Sequence, residues 1–192
     1  FLYETQLFPD PEYTFKHALT HEVAYATLPQ ERRKALHARI LDAIERSYPD
    51  RLSEHVERLA HHAVHAGMWE HAVRYLRQAA GKAVTRSADR EAIALFEQAL
   101  AAVHELPESP ETLSEALDIR LALGPCLSGI HGPGSSEFEA SYVAARELCR
   151  RLDDRTRIFP TLWGLCHVSF NRGLYREAQS LGEELLSVAR ER

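Results

Sequence analysis

The chain has 192 residues, 45% of them apolar and 27% charged, with a formal charge of −5. That composition is ordinary for a globular protein and excludes gross disorder or a fibrous repeat, while the acidic balance disfavours a protein whose main work is to neutralise phosphates. No stretch reaches the ~18 uninterrupted apolar residues of a membrane span; the uncharged run from Leu121 to Ser136 is broken by prolines and glycines.

The first fifteen residues read as extended. Residues Leu2 to Phe8 alternate loosely, Pro9-Asp10-Pro11 turns the chain, and Tyr13-Thr14-Phe15 resumes it, which predicts a β-hairpin packed on a helix from His17 to about Thr27. After Pro29, Leu36, Ile40, Leu41 and Ile44 recur at helical spacing up to Pro49. A helix is expected from about Leu52 to Ala66, closed by Gly67, and another from Trp69 to Arg86. Ser87 or Asp89 is placed to cap the next, whose buried face carries Ala92, Leu95, Phe96, Ala99, Leu100 and Val103.

The second half continues the pattern. A helix is expected from about Glu111 to Ile130, although the cluster of glycines from Gly124 to Gly134 reads as an inter-helix loop. Ser135 or Ser136 caps a helix bearing Phe138, Tyr142, Ala145, Leu148 and Cys149, and Asp153 or Asp154 begins another with Pro160 in its early turns. A last hairpin sets Leu162, Leu165 and Cys166 against Tyr175, Ala178, Leu181 and Leu185 across a turn at Gly173.

Such helices are too short to be stable alone, and stacking consecutive antiparallel pairs buries their stripes continuously. The slots of a tetratricopeptide repeat are filled by Ala80, Ser87, Ala92, Phe96 and Ala99, and less regularly by Cys166, Gly173, Ala178, Gly182 and Leu185. The equivalent positions Ala80, Cys126 and Cys166 lie farther apart than the minimal repeat of about 34 residues, so long, irregular hairpins are expected. The expected fold is therefore all-α: a right-handed superhelical stack of antiparallel helix hairpins, preceded by a short β-hairpin.

The stretch from Tyr13 to Ile40, YTFKHALTHEVAYATLPQERRKALHARI, resembles the segment that follows the nucleotide-binding module of bacterial STAND-type signalling ATPases. Phe159 to Leu165, FPTLWGL, with GPGSSE at 132–137 and ARELC at 145–149, is similar to motifs within the tetratricopeptide repeats of the same proteins. The resemblance implies that residues 1–50 are the tail of a winged-helix-like element, a β-hairpin plus two helices. It implies that residues 51–192 are a repeat domain truncated at its C-terminus. An ATPase, and in many such chains a class III adenylate or guanylate cyclase domain, would precede Phe1. The resemblance also implies that the first helix of each hairpin lines an inner groove. Arg74, Arg77, Arg120, Leu123, Leu127, Trp163, His167 and Phe170 fall in its ligand-facing slots or their neighbours, with Asn171 adjacent. The alternative for Trp163 and Phe170 is packing between hairpins.

Other chemistry is weakly supported. Gly81-Lys82 is followed by Ala83 and lacks the rest of a phosphate-binding loop. His17 and His21, and His61 and His65, stand four apart, with His62 and His55 near the second pair. The zincin pattern is missing, because His21-Glu22 is followed by Val23, Ala24 and Tyr25, so no metal or cofactor is expected. Arg32-Arg33-Lys34 is a short basic run that supports an alternative reading as a DNA-contacting winged-helix fragment of a transcriptional regulator. Cys126, Cys149 and Cys166 occupy apolar stripe positions and suit a reducing, cytoplasmic compartment better than a disulfide framework. The expectation is a non-catalytic scaffold that holds a protein segment or small effector in its groove and contacts the parent chain's other domains. The apolar side of its terminal repeat is available to a second copy, membrane is not a partner, and nucleic acid is disfavoured.

Overall fold

The computed structural model describes residues 2–6, 12–15, 22–23 and 25–190. Leu2–Gln6 (β1) and Glu12–Phe15 (β2) are antiparallel strands, with Leu2 opposite Phe15 and an irregularity in register between Glu4 and Gln6. The turn expected at Pro9-Asp10-Pro11 and the start of the helix expected from His17 lie outside the described residues. Glu22, Val23, Tyr25 and Ala26 are helical, and the Thr27 amide donates to the Val23 carbonyl at 3.0 Å.

The rest is all-α. Eight helices follow among the described residues: α1 Gln30–Ser47, α2 Val56–Ala66, α3 Trp69–Thr85, α4 Asp89–His104, α5 Pro110–His131, α6 Ser136–Leu152, α7 Ile158–Asn171 and α8 Tyr175–Arg190. A short 3-10 turn, Pro49–Glu54, separates α1 from α2. The helix expected from Leu52 therefore starts later, because Arg51 (φ −128°) and His55 (φ −113°) leave helical geometry and divide the segment. From α2 onward the linkers are two to five residues long, which obliges neighbouring helices to double back on one another. Each helix packs chiefly against its predecessor and successor in sequence, with slighter contacts beyond them, as between α5 and α7.

Local chemistry fixes the ends. Gly67 (φ 71°) closes α2 in a left-handed turn and Gly173 (φ 74°) does so between α7 and α8, both where expected. Ser87 (φ 56°) takes the same conformation after α3: its amide donates to Val84, and the Ala88 amide reaches back to Ala83, each at 2.9 Å. The expected cap is thus corrected. Ser87 belongs to the turn that closes α3, and Ala88 flanks the start of α4 with no side-chain cap. At α5, Ser109 and Thr112 exchange hydrogen bonds in a capping box, and at α6 the Ser135 hydroxyl accepts from the Phe138 amide, as expected.

The loop expected from Gly124 is also corrected. Helix α5 continues through Gly124, Pro125 and Gly129 to His131. Pro125 is exposed, so the Leu121 carbonyl that it leaves without an amide lies on the solvent side, where water can satisfy it. Gly124 is buried because the Tyr142 ring of α6 lies against it, and Gly164 of α7 meets the same ring from its own helix. A Cβ at either glycine would collide with that ring. The core runs as a continuous band from Leu41 and Ile44 on α1 through Leu76, Ala80, Phe96, Ile119, Phe138 and Leu162 to Leu185 on α8.

Candidate functional site

The six candidate contact residues fall into three groups. Arg74 and Arg77 sit along a groove of about 580 Å³ between α3 and α5, together with Glu70, Gln78, Glu111 and Glu115. Neither guanidinium is free. Arg74 donates to Glu45 on α1 at 3.2 Å and lies 4.6 Å over the Tyr75 ring, while Tyr75 itself donates to Glu45. Burial and that carboxylate push the Tyr75 phenol up to about 12. Arg77 pairs with Glu115 and approaches Asp118 at 3.7 Å, both on α5.

Asp118 in turn accepts from Arg157, the residue before α7, at 2.7 Å. Arg157 also donates to the Ser114 carbonyl and hydroxyl and pairs with Asp154. Charged side chains therefore connect α1 to α3, α3 to α5 and α5 to α7, so the alternate helices of the array are tied together along one series of contacts. Partly exposed pairs of this kind contribute about 0.2–1 kcal/mol each, and their main effect is to fix how successive hairpins register.

Arg120 lies apart from these two. It lines a cavity of about 340 Å³ between α4, α5 and α6, among Leu100, Val103, Leu113, Ala116 and Leu148. Burial pushes its guanidinium below the usual arginine range. Leu123 and Leu127, expected at the groove, are each 4% exposed and belong to the core.

The third group is on α7. Trp163 and Phe170 are each 61% exposed, so packing between hairpins is not what holds them. His167 is exposed with its ring 6.4 Å from Trp163 and 6.2 Å from Phe138. Exposed Asn171 donates to the His167 carbonyl at 2.8 Å. Phe159, Trp163, His167 and Phe170 recur every three or four residues and share a face, whereas Leu162, Leu165 and Val168 on the other face are buried. Tyr175, 66% exposed, extends the aromatic surface by meeting Phe170 at 5.9 Å.

Cys126 and Cys149 are buried, and burial pushes both thiols up, which suits small core residues and not nucleophiles. In the basic run, Lys34 pairs with Glu31 at 3.4 Å and Arg33 lies 5.3 Å over the Tyr25 ring, leaving Arg32 the most exposed of the three to solvent. No helix among the described residues is long and apolar enough to cross a membrane.

Side chains able to hold a metal ion gather elsewhere, where α1 meets α2. His37, His61 and His62 place one nitrogen each within 4.8 Å of the others. Burial, aided by the neighbouring imidazoles, pushes His62 down to about 4, and burial lowers His37 and His61 as well. Sequence spacing singled out His61, His62 and His65 but missed His37, which is twenty-odd residues away and joins them only through helix packing.

No family model matches the chain, and no solved structure matches it. Uncharacterized protein R02095 of Rhizobium meliloti (strain 1021) is 32% identical to it over 154 residues. That alignment takes in 79% of this chain and 15% of the relative, so the chain corresponds to a small part of a much longer protein.

Proposed function

We propose that the chain is a non-catalytic, tetratricopeptide-like binding arm of a larger signalling protein, built as a right-handed superhelical stack of hairpins and preceded by the tail of a winged-helix-like element. The observation that carries the reading is the exposed face of α7, where Trp163, His167 and Phe170 stand in a row that the protein's own core does not use. Large aromatic side chains held on a rigid helix bury much area for little loss of conformational freedom, and tryptophan is among the residues that most often anchor interfaces. The occupant is a protein segment or small effector. Its binding biases the arrangement of the arm relative to an ATPase or nucleotide cyclase elsewhere in the parent chain, which requires different affinity for the two arrangements. Helix packing chiefly between sequence neighbours and the length of the rhizobial relative support this reading. The DNA-contacting alternative has less support, since Arg33 and Lys34 are engaged within the chain.

Selecting peptides from a displayed random library on the purified chain tests the reading. Trp163→Ala and Phe170→Ala are each expected to weaken a selected peptide at least ~10-fold while circular dichroism and Tm stay near wild type, as for an interface anchor. Selected peptides indifferent to both substitutions would refute the α7 face. Arg77→Ala is a poorer probe, because its loss also removes the contacts to Glu115 and Asp118.

A further inference from the structure

The junction of α1 and α2 carries chemistry that a helical scaffold does not need. His37 occupies the buried stripe of α1 with Leu41 and Ile44 and is only 7% exposed. A leucine there would bury apolar surface with no polar atom to satisfy, so an imidazole at this position breaks the local pattern in the way functional positions do. Both of its nitrogens are engaged: Nδ1 meets His62 Nδ1 at 2.8 Å, and Nε2 shares a hydrogen bond of 2.9 Å with the Tyr25 hydroxyl. His61, next to His62 on α2, closes the group from the solvent side.

The spacing of the rings is informative. In a tetrahedral zinc site with Zn–N near 2.0–2.1 Å, ring centroids of two ligating imidazoles lie roughly 5.2 Å apart. The observed centroid separations are 5.1 Å for His37 and His62, 5.3 Å for His61 and His62, and 5.7 Å for His37 and His61. By contrast His65 stacks on His61 at 4.1 Å, too close for both to ligate one ion, and its Nδ1–H is directed to the His61 carbonyl at 2.8 Å.

We propose that His37, His61 and His62 form a zinc site that clasps α1 to α2, with the fourth position open to water on the exposed His61 side. The ion takes the place of the hydrogen between the two Nδ1 atoms, which moves to Nε2 of the ring that carried it so that both imidazoles stay neutral, and that pair opens by roughly half an ångström toward a tetrahedral edge. The His37 Nε2–H donates to the Tyr25 hydroxyl oxygen, which orients the ring and fixes its tautomer as an outer-shell partner of a metal ligand does. Three neutral imidazoles with an open position suit zinc, whereas magnesium and calcium need oxygen ligands that are not in this group. Such a clasp joins Tyr25 and α1 to the first helix of the repeat array, and it stands whether or not the α7 face binds a partner.

Titrating the tag-free chain with Zn²⁺, alongside the visible spectrum of a Co²⁺-loaded sample, tests the site. One ion per chain, a tetrahedral cobalt spectrum and a rise in Tm on adding zinc are expected. His61→Ala, at an exposed position, should weaken binding at least ~100-fold with the helix content unchanged, and Tyr25→Phe should weaken it about 10-fold or more. His65→Ala and His55→Ala should bind as wild type. His37→Ala risks the fold, so the exposed ligand is the decisive variant. Absence of zinc uptake, an octahedral cobalt spectrum, or equal affinity in His61→Ala would each overturn the site and leave a hydrogen-bonded histidine pair.

Discussion

Tyr142 and Asp154 show how single side chains set the geometry of this array. Tyr142, 7% exposed, inserts its ring between Gly124 of α5 and Gly164 of α7, so three helices depend on two missing Cβ atoms. Gly164→Ala is expected to destabilise the protein by about 1–3 kcal/mol through overpacking, although alanine favours the helix itself. Combining it with Tyr142→Leu should restore part of the loss in chemical denaturation, whereas additive losses would mean that the ring is not the obstacle. Asp154 accepts from the amides of Thr156 and Arg157 at 2.9 and 2.7 Å and from Arg157 Nε at 2.7 Å. Burial works to raise its carboxyl, but these donors together outweigh it and hold it below the usual range. The stabilisation is therefore complete above the unfolded carboxylate pKa near ~4 and disappears as pH falls through the lower folded value. Asp154→Asn should cost about 1–2 kcal/mol at neutral pH, and its gap from wild type should narrow below pH ~4. A gap that stays constant with pH would remove the charge from the explanation.

At the level of helices, the turns divide the work between caps and left-handed residues. Gly67 and Gly173 adopt positive φ at little steric cost, but Ser87 does so with a Cβ, and its side chain is exposed. Ser87→Gly is expected to raise stability by about 0.5–1 kcal/mol, read as a higher Tm with an unchanged spectrum. A fall in Tm would show that the serine contributes something beyond the turn. Much at this scale was legible in the sequence, because caps and periodicity act within a few residues. Ser135 opens α6, Gly173 separates α7 from α8, and the stripe Ala92, Phe96, Ala99 is buried as its spacing indicates. Where two local signals competed, the sequence could not arbitrate. Ser87 has the residue type that opens a helix, yet its left-handed backbone closes α3, and Gly124 and Pro125 resembled a loop until the Tyr142 ring gave the glycine a packing role. Leu52 was lost to a 3-10 turn because Pro49 and the departure at Arg51 outweighed the apolar spacing.

Across the whole molecule, all-helical architecture and the order of its helices follow from the chain itself: punctuation and apolar period are local properties, and short linkers leave consecutive helices little choice but to pack together. Which polar side chains are left for function is a different matter. Arg74 and Arg77 have the residue type of binding anchors, yet their carboxylates come from two other helices, α1 and α5. Packing between hairpins was open to Trp163 from its spacing, and only its exposure removes that reading. His37 carries no signal of its own in the sequence, and only α2 brings His61 and His62 against it. Periodicity says which side of a helix turns inward. It cannot say which residue of a distant helix will stand there, because that depends on long-range contacts formed only when the whole stack is assembled.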